Sequence, residues 1–219
     1  MSILEKIGQS VISGKIKEIE SQVNDALAQE VTPLDVIQKG LAVGMEEVGR
    51  LFKADQYYLP DVLLSAKTMG LAVTILEPLL LGDNAVKPIG KVMIGTVKGD
   101  VHDIGKNIVI MMLKGAGFAV VDLGVNIPVE KFIEAYHREK PDVIGLSALL
   151  STTLPQQQKT IEAFEEAGLR SEVKIIVGGA PVTEAYAKRI RADGMATDAV
   201  DAVEVIKSWV MEKLKVEAV

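Results

Sequence analysis

The spacing of apolar residues changes character at Gly82-Asp83-Asn84, and that change constrains the fold more than any other feature of the chain. Before it, apolar residues recur at helical intervals. Ile16, Ile19, Val23 and Leu27 form one such run. Leu34, Ile37, Leu41, Met45, Val48 and Phe52 form another, opened by Thr32-Pro33 as N-cap and first-turn residue. A third follows Pro60 through Val62, Leu63, Ala66, Met69, Val73, Leu76 and Leu80. With the segment Ile3 to Ile12, this predicts a bundle of about four helices. Gly82 to Asn84, followed by Pro88 and Gly90, reads as a linker, so the expected domains are 1–89 and 90–219.

Beyond the linker, short apolar runs alternate with amphipathic stretches. The runs are Val92–Val97, Ala119–Leu123, Val143–Ser147, Lys174–Val177 and Gly194–Ala196. Helices are expected near Ile104–Lys114, Val129–Glu139, Leu154–Ala167, Val182–Ile190 and Ala199–Leu214. Strands that alternate with helices make right-handed crossovers and a parallel sheet. Five such strands commonly take the order 2-1-3-4-5, which is the flavodoxin-like, Rossmann-type α/β arrangement. Ligands then bind beyond the carboxyl ends of strands one and three. The loops after Val97 and Leu146 should therefore meet at a site.

Composition narrows the chemistry. The net charge is −6 and no basic block is present, which disfavours nucleic acid and anionic membranes as partners. The absence of cysteine excludes disulfides, thiolate zinc sites, cysteine-ligated clusters and a cysteine nucleophile. Met1 to Ser10 carries Glu5 and Lys6 in an amphipathic pattern and does not read as a secretory signal. The apolar stretch Leu71 to Leu81 is interrupted by Glu77 and Pro78 and is short for a bilayer span. A cytoplasmic protein is the expectation.

The two expected ligand loops hold the unusual polar residues. One reads Gly99-Asp100-Val101-His102-Asp103-Ile104-Gly105-Lys106-Asn107, and the other Ser147-Ala148-Leu149-Leu150-Ser151-Thr152-Thr153. A third loop reads Gly178-Gly179-Ala180-Pro181. His102 is one of only two histidines and follows Asp100 by two positions. A carboxylate on the second ring nitrogen fixes the tautomer of a ligating histidine and raises its basicity. One histidine without cysteine cannot build a zinc cage, but it suffices for a cofactor that brings its own equatorial ligands, a corrin or a haem. Taken alone, His102 reads equally well as a loop histidine bonded to a backbone carbonyl. The glycines, taken alone, read as turn formers. His137, on a polar face near a helix C-terminus, reads as a solvated residue that favours the helix dipole.

Together the pieces form a longer pattern: Asp100-x-His102-x-x-Gly105, 41 residues, Ser147-x-Leu149, 28 residues, then Gly178-Gly179. This resembles the cobalamin-binding signature of methionine synthase and the corrinoid methyltransferase proteins. The helical half is similar as well. Gly44-Met45-Glu46-Glu47-Val48-Gly49-x-x-Phe52 and Tyr58-Leu59-Pro60 look like that family's four-helix cap bundle.

The resemblance implies a cobalamin held base-off and His-on, with His102 replacing dimethylbenzimidazole on cobalt and Asp100 on its other nitrogen. Thr153 stands where methionine synthase has a serine that extends this relay. Ser147 and Ser151 would face the displaced nucleotide tail, which Gly105, Gly178 and Gly179 leave room to approach. Gly99, Val101, Asp103, Leu149 and Ala196 join the implied cofactor contacts. Phe52 and Leu59 would shelter the upper face. By the same resemblance, a substrate-specific methyltransferase of the methanol, methylamine or methyl-ether type methylates cobalt(I). The methyl-cobalt(III) form then meets a second methyltransferase acting on a tetrahydrofolate or a thiol coenzyme. A reductive activase completes the implied partners. The alternatives are the cobalamin subunit of an adenosylcobalamin mutase, a cobalamin-dependent regulator, for which no basic helix-turn-helix is visible, and a haem protein.

Overall fold

A computed structural model describes residues 1–80 and 88–217 of the chain. The expected linker at Gly82 to Asn84 lies outside the described residues. The chain forms a helical unit, Met1–Pro88 with Met111–Gly117, and an α/β unit, Ile89–Ile110 with Phe118–Val219.

The helical unit opens with α1 (Ile3–Ile12), whose start is fixed by a capping box. The Ser2 hydroxyl accepts the Glu5 N–H, and the Glu5 carboxylate accepts the Ser2 N–H at 2.6 Å. Next come α2 (Ile16–Ala28), the short α3 (Pro33–Asp35), a π-helical turn (Val36–Leu41), α4 (Ala42–Lys53), α5 (Leu59–Leu76) and a 3-10 turn (Glu77–Leu80). Thr32 caps α3 as its sequence suggests, its hydroxyl accepting the Asp35 N–H, with Pro33 in the first turn. The Leu34-to-Phe52 periodicity predicted one continuous helix. The path instead loosens into the π turn around Gly40, a weak helix former without a side chain to pack. Backbones approach closely here: a Cβ on Gly44 would lie 2.6 Å from the Gly8 carbonyl oxygen. Ile7, Val11, Ile19, Val23, Leu41, Met45 and Val48 are buried. α5 is long and apolar enough to cross a bilayer by length and composition. Its Val62, Ala66, Met69, Ala72 and Leu76 are buried, as in a core helix.

The α/β unit contains β1 (Lys91–Thr96), α6 (Ile104–Gly115), β2 (Ala119–Asp122), α7 (Val129–Glu139), β3 (Val143–Ser147), α8 (Leu154–Glu166), β4 (Lys174–Gly178), α9 (Glu184–Arg189), β5 (Gly194–Ala196) and α10 (Ala199–Glu217). The strands are parallel in the order β2-β1-β3-β4-β5, as the alternation of runs predicts. Central strands in such a sheet are covered on both faces and read as unbroken apolar runs. β1 and β3 are buried accordingly. Met93, Ile144, Leu146, Ile175 and Val177 pack with Phe132 and Tyr136 of α7, Ile161 and Phe164 of α8, and Tyr186 of α9. Alternate strand residues point to the opposite face. On α10, Val210 lies beside Gly90 and the Trp209 ring lies against Gly194.

Pairing register places Thr96 opposite Ser147, Ser147 opposite Gly178, and Gly178 opposite Ala196. These four residues therefore form one row at the carboxyl edge of the sheet.

Candidate functional site

β1 ends in a tight turn in which the Asp100 N–H returns to the Val97 carbonyl at 3.1 Å. Gly99 occupies its third position with φ +82°, where an L side chain would be strained. The turn drives Asp100 inward, and the residue is fully buried. Its Oδ1 accepts His102 Nδ1 at 2.7 Å and the His102 N–H at 3.1 Å. Its Oδ2 accepts the N–H groups of Leu149 at 2.8 Å and Leu150 at 3.2 Å, and lies 2.8 Å from Thr153 Oγ1. The single Thr153 proton serves either this carboxylate or the Leu150 carbonyl, also at 2.8 Å.

The loops after β1 and β3 are thus joined through one carboxylate, as expected of neighbouring strands at a topological switch point. Burial pushes the Asp100 carboxyl up. The bonds from the His102 ring and N–H, the Thr153 hydroxyl and the Leu149 N–H outweigh it and hold the carboxyl well below the usual carboxylate range. An ionised carboxylate can only accept, so Nδ1 of His102 carries a proton, and the neutral tautomer this selects has its lone pair on Nε2. The His102 side chain is 47% exposed, and Nε2 has no protein partner among the described residues. The Thr96 hydroxyl, buried in β1, donates to the His102 carbonyl at 2.9 Å and fixes the ring's backbone from below.

The other candidates fall in distinct places. Ser147, Gly178 and Ala196 share the edge row with Thr96. A Cβ on Gly179 (φ +130°) would collide with the Ala148 carbonyl, so only glycine lets the loops after β3 and β4 pass this closely. Gly105 is exposed, with no atom within 4 Å of where a side chain would start. Val101 and Leu149 are exposed apolar residues, as are Ile104 and Leu150. Ser151 is exposed in the turn before α8. Asp103 is engaged locally: its carboxylate accepts the Asn107 side-chain amide at 3.1 Å at the start of α6. Phe52, at the end of α4, is half-buried, and Leu59, at the start of α5, is 51% exposed. His137 is exposed in the last turn of α7 and meets the Tyr136 ring edge-on.

Four residues were given no role by the sequence reading. Thr96 looks like any β-branched strand residue. Gln157 is buried and donates to the Leu146 carbonyl at 2.9 Å and the Gly178 carbonyl at 3.1 Å, tying the ends of β3 and β4 together. Lys106 is buried with its ammonium 2.7 Å from both Asp122 and Asn107. Asn126, in the loop after β2, accepts the Gly99 N–H at 2.7 Å. A signal for Asn126 existed: in a 2-1-3 order the loop after strand two also borders the loop after strand one.

The fold and this edge define a class: a cofactor-binding α/β domain that offers one imidazole nitrogen, preceded by a helical unit. The chain belongs to the B12-binding family of corrinoid proteins. Residues 90–206 match the B12 binding domain, and residues 3–77 match a second family also described as a B12 binding domain. The chain is 41% identical to dimethylamine corrinoid protein 2 of Methanosarcina acetivorans, over 96% of its own length and 97% of that protein's. Among solved structures, it resembles a cobalamin-binding protein from Desulfitobacterium hafniense (31% identity, TM-score 0.78, covering 94% of this chain and 98% of that one). It also resembles a chain of the methanol:cobalamin methyltransferase complex from Methanosarcina barkeri (28% identity, TM-score 0.83, covering 95% of this chain and 80% of that one).

The residues fit such a cofactor. Among the described residues no group of three or more His, Cys, Asp or Glu side chains could hold a bare metal ion. A corrin needs only one protein nitrogen, and His102 Nε2 lies on a ring oriented by Asp100, on a side chain that is 47% exposed. Gly105 leaves its backbone open, with nothing within 4 Å of where a side chain would start.

Proposed function

We propose that the chain is a methyl carrier that holds a corrinoid base-off with His102 Nε2 as the lower axial ligand, between two methyltransferases. The observation that carries this reading is the 2.7 Å bond from His102 Nδ1 to a buried, ionised Asp100, which selects the tautomer whose lone pair is on Nε2. The corrinoid, when bound, supplies a cobalt centre able to accept and release a methyl group; the protein supplies ligation, orientation and exclusion of water.

Each polar group then has a task. Asp100 fixes the ring plane and tautomer and stabilises positive charge on the imidazole. Protonation of Nε2 and ligation through Nε2 exclude each other, so a proton on that atom favours the released state. Thr153, free to turn its hydroxyl from the Leu150 carbonyl to the carboxylate, adjusts how strongly Asp100 draws on the ring. Ser147, Ser151, Gly105, Gly178 and Gly179 are the proposed contacts of the nucleotide tail. Gly99, Val101, Asp103, Leu149 and Ala196 are further proposed cofactor contacts, and Phe52 and Leu59 are a proposed apolar shield for the methyl group.

The likeness to dimethylamine corrinoid proteins over almost the full length supports a methylated amine as donor through a substrate-specific methyltransferase. A second methyltransferase, acting on a tetrahydrofolate or thiol coenzyme, and a reductive activase are the other proposed partners. The test is reconstitution of the wild-type protein and His102→Gly with hydroxocobalamin, read by absorption spectroscopy. The wild type should show a nitrogen-ligated spectrum without benzimidazole on cobalt, and the variant a base-off spectrum. Identical spectra would remove His102 from the ligand position.

A further inference from the structure

We infer that Asn126 is a positioning residue that clamps the ligand-bearing loop from the side opposite the β3 loop; this rests on the corrinoid reading above. The carboxylate of Asp100 is held by the loop after β3, but its backbone is held elsewhere. The Asn126 N–H donates to the Asp100 carbonyl at 2.9 Å, and Asn126 Oδ1 accepts the Gly99 N–H at 2.7 Å. One residue thus grips two consecutive residues of the turn, one through its main chain and one through its side chain.

Asn126 is itself held in place. The Ile127 N–H donates to the Thr96 carbonyl at 2.9 Å, and the Thr96 N–H donates to the Gly124 carbonyl at 3.0 Å. The Gly124 N–H donates to Asp122 Oδ1 at 2.8 Å, and the buried ammonium of Lys106 donates to the same oxygen. The loop after β2 is therefore anchored to β1 and to the first turn of α6.

Asn126 also has a strained backbone, with φ +55°. Asn adopts this left-handed conformation more readily than most residues, but still at a cost. The residue is exposed, so core packing does not explain the strain. What the conformation achieves is the placement of N–H and Oδ1 on the same turn. Without Oδ1, the Gly99 N–H turns to water and the turn gains freedom. Asp100 Oδ1 then samples positions away from His102 Nδ1, and the imidazole loses its fixed orientation. Groups that orient a ligating histidine typically alter metal affinity by 10-fold or more.

The experiment uses the full chain and three variants, Asn126→Gly, Asn126→Asp and His102→Gly, with thermal melts to establish folding. Glycine keeps the positive φ and removes the acceptor; aspartate keeps the acceptor. Hydroxocobalamin affinity and the fraction of nitrogen-ligated spectrum are measured for each. Exchange of the Gly99 amide is followed by NMR in the cofactor-free protein. Asn126→Gly should bind about 10-fold more weakly, with a mixed, partly base-off spectrum. Asn126→Asp should behave like the wild type. The Gly99 amide should be protected in the wild type and unprotected in Asn126→Gly.

The inference is overturned if Asn126→Gly matches the wild type in spectrum and affinity, if Asn126→Asp is as impaired as Asn126→Gly, or if the wild-type Gly99 amide exchanges freely. Should Asn126→Gly not fold, Asn126→Asp and wild-type amide exchange still decide it. If His102→Gly and the wild type give the same spectrum, the ligand assignment fails instead, and Gly99 exchange alone judges the clamp.

Discussion

Removing the Asp100 carboxylate would strand the Leu149 and Leu150 N–H groups, the His102 N–H and ring, and one orientation of the Thr153 hydroxyl. A buried donor left without a partner costs about 1–3 kcal/mol. Asp100→Ala should therefore destabilise the cofactor-free protein by about 3 kcal/mol or more, measurable as a lower urea midpoint. Acid should separate the wild type from Asp100→Asn. The native carboxyl lies below its unfolded value of about 3.9. The stability it contributes is complete above about pH 4 and is lost as pH falls toward the native value. The wild type should thus lose its advantage over Asp100→Asn progressively as pH falls below about 4, and urea midpoints across the acid range check it. Tyr136 gives the opposite sign. Burial first, then the hydrogen bond and charge of Glu172, push its hydroxyl up to about 12. A raised value contributes stability below the unfolded value of about 10, lost as pH rises through the native one. Tyr136→Phe should flatten the alkaline limb and remove the latest tyrosinate step from an ultraviolet titration.

At the level of elements, helix ends offer the most direct test. α2 closes with the Glu30 N–H on the Leu27 carbonyl and the Val31 N–H on the Ala26 carbonyl, with Glu30 left-handed at φ +60°. This position favours glycine, because a side chain there costs about 1–2 kcal/mol. Glu30→Gly should stabilise the chain by about 1 kcal/mol, seen as a rise of a few degrees in Tm.

The elements themselves were readable where burial alone shapes the sequence. Val92 to Val97 is apolar apart from Thr96 because both faces of β1 are covered. Even the three-residue β5 was visible as Gly194–Ala196 between two helical patterns. The π turn at Val36–Leu41 was not, since apolar spacing records which face is buried and not how tightly the backbone winds. The same distinction divides the site. Asp100 and His102 stood out because polar residues crowded one expected loop pair, and Thr153 entered through the family resemblance. Thr96 and Gln157 act through hydrogen bonds inside elements, where a hydroxyl or amide looks like an ordinary strand or helix residue. Asn126 acts through the hand of its backbone, which composition does not record.

For the whole molecule, cofactor and stability should be linked. A ligand that binds only the folded chain stabilises it by about 2.7 kcal/mol at a free concentration of 100 Kd. Hydroxocobalamin should raise Tm in a concentration-dependent way. His102→Gly should show a smaller rise at equal corrinoid, and calorimetric melts at several cobalamin concentrations measure both.

The anchor beneath His102 has one further consequence. Three of the five groups that engage the Asp100 carboxylate, the N–H groups of His102, Leu149 and Leu150, belong to the main chain and exist whatever side chains those positions carry. The seat of the His102 imidazole is written in the path of the chain, while Val101, Ile104, Leu149 and Leu150 of the same loops are written in exposed side chains. Those side chains can thus be re-lettered by mutation, or by an engineer, while the seat keeps its shape.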